Sequence, residues 1–525
     1  MDGAFGNRAV SGGRRSGRHS LAFVLPFAIT ALFGILWALA SPVFSIPDEN
    51  AHATKAIAQA RGQIVGYTLP DVRHIVVDLP AGYGYSQDVL CYATHPEVDA
   101  GCAPEFGGAD TQPWFNTWVG AYNPVYYFLI GWPSLLMDGS AAIYGMRIAS
   151  ALLCAAFVGL GYFAATSGSQ ARWMPVGMAF AAAPMTAYLF GAVNPNGAEV
   201  AAAVALWAAL LRLLESFDRD DPGPLGLPRA GLWGIVVAAA VLLVNARALG
   251  PLWLVVVVAV CLVAVGWRAT RRLFTTATSY VWIGAVAVGG LFSLGWTLFG
   301  GSLSNQAEAS DAPLVNGSFL QGFAYMIRTM PDHLQQALGY FGWFDMPLPV
   351  WVYWPIVGAV TVLLVLGLAA TGRRSAAVAV GVVAVALLVP ALVQGYSVHQ
   401  TGIIWQGRYG LFLYHGVLIV VAWLLSRDRG AARIGFLAPR MTPLLGAALA
   451  GFGLLAFALV LVRYVIGWGS PLGEMLADPG WQPPGGWPLL VAAYAAVSAL
   501  LVVGVWMHSR TIARGESMAR SGADA

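Results

Sequence analysis

Four polar clusters interrupt an otherwise apolar chain, and each combines residue types suited to a charged or hydroxylated ligand. The first is Ile46-Pro47-Asp48-Glu49-Asn50-Ala51-His52-Ala53-Thr54-Lys55. Pro47 suits the first turn of a helix, and an acidic pair suits the positive end of its dipole. On such a helix Asp48, His52 and Lys55 follow at i, i+4 and i+7 on one face, with Glu49 about a quarter turn away. A carboxylate held there can accept a proton from a hydroxyl or hold a divalent cation such as Mg or Mn. The plainer reading is a helix start decorated with acids.

The second cluster is Asn194-Pro195-Asn196-Gly197 with Glu199 following. Asn, Pro and Gly favour a turn. Glu199 then lies about one turn inside an Ala-rich helix, where an acid is costly and marks a functional candidate. Arg247, after Asn245, is a lone arginine at a helix end, suited to snorkelling or to a phosphate. The third cluster runs Tyr340-Phe341-Gly342-Trp343-Phe344-Asp345-Met346-Pro347-Leu348-Pro349. Aromatic faces such as Trp343 beside the Asp345 carboxylate suit a sugar ring, although Trp and Tyr also form plain interfacial belts. The fourth is Trp405-Gln406-Gly407-Arg408-Tyr409. Arg408 offers the fork of donors that fits a phosphate or pyrophosphate, or else a simple interface anchor.

The elements that must position these residues are membrane helices. Of the 525 residues, 58% are hydrophobic and 10% are charged, against about 25% charged in ordinary soluble domains. Apolar runs of membrane-spanning length recur along the chain, and in lipid the backbone must pair within each run, as helix. The runs lie near 21–45, 123–137, 141–166, 173–193, 197–217, 230–246, 248–267, 279–300, 351–370, 376–396, 409–425, 442–465 and 487–507. The alternating ten-residue segments of a β-barrel are absent. A net charge of +3 gives no reason to invoke nucleic acid. Lys55 is the only lysine, so the positive charge is arginine.

Arginine clusters follow every second helix from the fifth segment onward. The positive-inside rule then places them in the cytoplasm. That orientation holds if the short 123–137 segment is re-entrant or incompletely spanning, giving twelve crossings with both ends inside; thirteen would invert everything after the third segment. The expected organisation is a basic disordered tail over 1–20, a single membrane domain over 21–508 and a cytoplasmic tail over 509–525. Two long outer loops, 46–122 and 301–350, are rich in Trp, Tyr, Asn and acidic residues. No cleavable signal peptide is evident, because the first apolar run is too long for one. Cys91 and Cys102 share the first outer loop, where an oxidising compartment permits a disulfide, and are expected to pair. Cys154 and Cys261 fall within apolar helices and read as packing residues.

Taken in order, the motifs resemble a known family. They are Pro47-Asp48-Glu49-Asn50-Ala51-His52, then Tyr122-Asn123-Pro124-Val125-Tyr126-Tyr127, the Asn194-Pro195-Asn196 corner, Gly342-Trp343-Phe344-Asp345-Met346-Pro347-Leu348-Pro349, and Gln406-Gly407-Arg408-Tyr409. Across residues 20–430 this pattern is similar to the bacterial membrane proteins grouped as domain-of-unknown-function family 2142, which looks like a branch of the GT-C glycosyltransferase superfamily. The resemblance implies an all-α, GT-C-like bundle of about 12–13 transmembrane helices in the plasma membrane, with an outward cavity. It further implies a polyprenyl-phosphate sugar donor, a cell-envelope acceptor, and Asp48 or Glu49 as catalytic base or metal ligand. Where the pattern usually offers an aspartate, this chain has Asn196, so a second carboxylate is missing there unless Glu199 replaces it.

On that basis Arg408 is the expected donor-phosphate ligand, helped by Arg247 or Arg328. His52, Lys55, Asn194, Asn196, Glu199, Trp343, Asp345, Gln406 and Tyr409 are the expected sugar and acceptor contacts. A transporter or flippase of lipid-linked precursors is the main rival. Its usual marks are internal repeats and a midplane site, whereas here no repeat stands out and the polar residues crowd the outer ends. A non-catalytic scaffold is the third reading, and it would make Asp48 and Glu49 dispensable.

Overall fold

In a computed structural model the described residues are 6–107, 114–218, 226–301 and 312–521. The chain is an all-α polytopic membrane protein. Its helices are α1 (Gly6–Ala40), α2 (Glu49–Ala60), α3 (Val125–Ile130), α4 (Gly139–Thr166), α5 (Met174–Ala179), α6 (Pro184–Phe190), α7 (Pro195–Asp218), α8 (Arg229–Ala246), α9 (Gly250–Val265) and α10 (Trp267–Thr275). They continue as α11 (Ala277–Phe299), α12 (Phe319–Arg328), α13 (Met330–Gly339), α14 (Val350–Ala369), α15 (Arg373–Thr401), α16 (Leu411–Arg427), α17 (Ala438–Ile466), α18 (Glu474–Ala477) and α19 (Trp487–Ser521). Because α1 begins at Gly6, helix extends back into the basic stretch that the sequence reads as a tail. Two antiparallel strand pairs, β1 (Ile75–Asp78) with β2 (Trp114–Thr117) and β3 (Tyr340–Phe341) with β4 (Met346–Pro347), stiffen the two long loops.

Among the described residues ten helices are long and apolar enough to cross a membrane, or eleven if α9 and α10, bent by 116° at Gly266, count as one span. The 173–193 run adds a traversal by a broken route. Pro184 has no N–H to continue a helix, so α5 ends in a tight turn and α6 starts afresh. At the near end of this run the Trp173 N–H donates to Ser426 Oγ at the foot of α16 (3.0 Å). At the far end the Val193 N–H donates to Glu49 Oε1 (3.0 Å). The run therefore passes from one end of the bundle to the other. Segment 123–137 does not. It folds into α3 and a short turn, and Gln59 and Arg61 of α2 tie it down through the carbonyls of Pro124 (2.7 Å) and Ser134 (2.6 Å). Chain direction then puts both tails at one end, together with Arg172, Arg268, Arg374, Arg427 and Arg510. The α2, α3, α12 and α13 segments cap the other.

α7 is the axis of this arrangement. Its span is buried throughout, against α4, α8, α9 and α16. Ala198, Ala201, Ala202, Ala203, Ala205, Ala208 and Ala209 are all buried along it. Such small side chains let neighbouring backbones approach closely where no hydrophobic effect drives helices together. α11, by contrast, is almost wholly exposed on the perimeter and faces lipid.

Ser318, just before α12, and Arg373, at the start of α15, lie at opposite ends of the bundle. Single cysteines placed at these positions, with Cys154 and Cys261 replaced, are expected to label from opposite sides of the membrane with an impermeant maleimide. Equal labelling in intact cells refutes the traversal count.

Candidate functional site

The two adjacent acids at the start of α2 do different jobs. Asp48 is the residue before the first helical turn and sits in the left-handed region at φ 66°. Asp tolerates that region better than most residues, yet the conformation is still strained, as residues at functional sites often are. It turns the two side chains to opposite sides. Glu49 goes inward and is fully buried. Its carboxylate accepts from Arg147 Nε (2.8 Å) and Nη2 (2.5 Å) and from the Val193 N–H (3.0 Å). Arg147 spends its remaining donors on the carbonyls of Ala38 (2.9 Å), Ser41 (2.5 Å) and Pro42 (2.7 Å). Glu49 is thus a lock joining α1, α2, α4 and the 193 corner, and the expectation that it shares a catalytic role with Asp48 does not fit this geometry.

Asp48 instead points away from that joint, its side chain about a third exposed, with Oδ2 2.9 Å from Arg408 Nη2. Arg408 is 6% exposed and lies over the rings of Phe344 (5.4 Å) and Tyr409 (5.2 Å). Arg247 lies over the same Tyr409 ring (4.3 Å) and donates to Asn196 Oδ1 (2.6 Å). Two guanidinium groups thus flank one phenol ring. The structure brings together Asp48, Arg247, Asn196, Arg408 and Tyr409 from four separate parts of the sequence.

His52 sits behind them, bonded through Nδ1 to the Tyr127 hydroxyl (2.8 Å). Burial first, then the charges of Arg247, Arg408 and Lys55, hold its imidazole well below the usual range, so it is neutral at pH 7. Lys55 does not join this group. Its ammonium donates to the carbonyls of Gly120 (2.6 Å) and Ile64 (3.0 Å) and pins the first loop to α2. Burial pushes it down to about 7. Asn194 donates to the Pro47 carbonyl (3.3 Å) and accepts from the Asn196 N–H (3.0 Å), which shapes the corner.

Asp345 also departs from expectation. It pairs with Arg463 of α17 (2.6 Å), whose other donors hold the carbonyls of Tyr92 (2.5 Å), His95 (3.2 Å) and Val98 (2.8 Å). That carboxylate fastens the first loop to the β3–β4 turn. The same loop is closed by a disulfide between Cys91 and Cys102, with Cα atoms 6.2 Å apart. Trp343 donates to the Phe44 carbonyl (2.9 Å). Arg328 is exposed at the end of α12 and makes none of these contacts. Arg147 and Arg463 lie inside apolar runs and belong to none of the polar clusters. The signal was present, since an arginine inside a membrane helix demands a partner.

Buried polar atoms are normally satisfied, yet Asn50 Oδ1, Asn196 Nδ2, Glu199 Oε1, Gln406 Oε1 and Arg408 Nε find no partner among the described residues. Buried atoms elsewhere, Asp345 Oδ1 and Arg463 Nε among them, are also without a partner among the described residues. A divalent cation fits poorly. One acid is locked on Arg147 and the other is paired with Arg408. Among the described residues no group of three or more His, Cys, Asp or Glu side chains gathers to hold a metal. Beside Arg247, a narrow groove lined by Tyr122, Asn123, Ser293, Trp296 and Thr297 runs to the lipid-facing helix α11.

A family model described as "Predicted membrane protein (DUF2142)" matches residues 31–417, well over half of the chain. No curated protein and no solved structure matches it.

Removing one partner of a buried ion pair leaves an uncompensated charge, worth about 3–5 kcal/mol. Glu49→Gln is expected to destabilise the chain on that scale in thermal unfolding, and Asp48→Asn, whose carboxylate is about a third exposed, is expected to cost less. Similar losses in both would show that the two acids share one role. Lys55 gives a pH signature. Its folded value of about 7 lies below its ordinary 10.5, so between these the unfolded chain binds the extra proton, and stability rises with pH across that window. The melting temperature of the native chain relative to Lys55→Met is expected to climb from pH 7 to 10; a flat difference contradicts it.

Proposed function

This chain belongs to the DUF2142 family of predicted membrane proteins, and we propose that it transfers a sugar from a polyprenyl-phosphate carrier to a hydroxyl of a cell-envelope acceptor. The reaction takes place on the extracytoplasmic face of the plasma membrane. Orientation follows from the positive-inside rule, which sends the arginine-rich end of the bundle to the cytoplasm and Asp48 outward. The ordered motifs also support kinship with the GT-C glycosyltransferases.

The observation that carries the reading is the Asp48–Arg408 pair at 2.9 Å beside Arg247. A carboxylate and two guanidinium groups stand together around Tyr409, with the carboxylate partly open to solvent. The donor phosphate binds to Arg408 and Arg247, whose forks match its oxygens. Its lipid tail leaves through the groove beside α11. Once the phosphate takes Arg408, Asp48 is released to face the acceptor. The acceptor oxygen attacks the anomeric carbon from the side opposite the phosphate. As the new C–O bond forms, Asp48 takes the hydroxyl proton. The bond from the anomeric carbon to the phosphate oxygen breaks, and polyprenyl phosphate departs with its electron pair. The sugar is transferred with inversion. In this reading Trp343 and Gln406 contact the sugar, and positioning supplies much of the acceleration. No step requires a metal ion.

A general base contributes roughly 10²–10⁴-fold. Transfer from a synthetic polyprenyl-phosphate sugar, measured with purified protein, is expected to fall by that factor in Asp48→Asn. Arg408→Gln is expected mainly to raise the KM for donor. Undiminished turnover in Asp48→Asn ends the base assignment.

A further inference from the structure

At the end of the bundle opposite Asp48 lies a second basic chamber that the proposed reaction does not use. A cavity of about 370 Å³ opens between the α9–α10 bend, the start of α15 and the end of α16. Arg268, Arg374, Arg427 and Arg429 line it, against Asp218 and Asp428. Both aspartates are already committed. Asp428 accepts from the N–H groups of Gly372 (3.1 Å) and Gly430 (2.7 Å) and from Ser375 Oγ (2.5 Å). Asp218 pairs with Arg427 Nη2 (2.9 Å) and stands 4.0 Å from Arg268 Nε, and Glu215 Oε1 stands 3.8 Å from Arg427 Nε.

Positive charge is therefore left over. Among the described residues no carboxylate pairs with Arg374 or Arg429, and Arg427 Nη1 is buried without a partner. The chamber is also shaped. Gly266 stands at φ 101°, and a side chain there would strike the Arg374 guanidinium, which crosses the bend. Below the arginines the wall turns apolar, with Val265, Val378 and Leu424. Val263 and Trp267 beside it are 67% and 77% exposed on the perimeter that meets lipid.

We propose that this chamber binds a phosphate group, carried by an anionic lipid of the adjoining leaflet. Guanidinium groups take the phosphate oxygens, and the acyl chains run down the exposed face of α9. A soluble phosphate would satisfy the same arginines but leave the apolar wall and the exposed face uncovered.

The test uses the full chain in detergent micelles, read by native mass spectrometry with phosphatidylglycerol or phosphatidylcholine added. The native protein is expected to retain phosphatidylglycerol in preference. An Arg374→Gln/Arg429→Gln double variant is expected to lose that preference about tenfold, on the scale of a lost charged hydrogen bond. Arg374→Lys/Arg429→Lys should keep much of it, and an unchanged gel-filtration profile shows that each variant folds. A parallel titration with inorganic phosphate separates the sources. Phosphate binding that the double variant loses, with no lipid preference in the native chain, overturns the lipid as carrier. Equal retention of both lipids and of phosphate by native and double-variant protein overturns the site itself.

Discussion

The arrangement depends on one ion pair buried in the bundle. Arg147 and Glu49 are both inaccessible to solvent, and neither tolerates isolation in a low-dielectric setting. Their pairing satisfies more than two charges. Through Arg147 the last carbonyls after α1 are capped, and through Glu49 the 193 corner is held against the start of α2. The strained backbone at Asp48 persists because both its neighbours are fixed in this way. With Glu49 locked, the aspartate is left facing Arg408.

Three arginine–carboxylate pairs surround this end of the molecule, and their settings differ. In Arg147–Glu49 and Arg463–Asp345 the arginine is fully buried and also donates to backbone carbonyls. These pairs serve as structural joints. In Arg408–Asp48 the carboxylate is about a third exposed, so this pair alone of the three stays open to solvent on its acidic side.

Run length made most of the fold legible, because a helix in lipid has a fixed minimum span. The α5–α6 traversal satisfies this rule only by a detour at Pro184, and no single helix there is long enough to pass. The short 123–137 run reads correctly as non-spanning from its interrupted composition. Asp48, Arg247, Arg408 and Tyr409 are each an oddity in their local sequence context, and the fold brings the four together. Sequence reading did not show that Tyr409 lies between two arginines, since that contact joins α9's approach to α16's. It also credited Glu49 and Asp345 with ligand roles because their partners, Arg147 and Arg463, were hidden inside apolar helices. A pattern of residue types gives the charges available but not which of them cancel.

The reach of these contacts along the chain has a consequence for biosynthesis. Asp48 meets its arginine 360 residues later, and the loop carbonyl of Val98 meets Arg463 365 residues later. Neither joint can close while the ribosome is still making the first two thirds of the protein. The amino-terminal half can fasten its outer loop to α2 through Lys55 at once, whereas the joints to Arg408 and Arg463 form only as α16 and α17 are inserted. Assembly of the Asp48–Arg408 pair is thus timed by the carboxy-terminal helices, which reach the bilayer last.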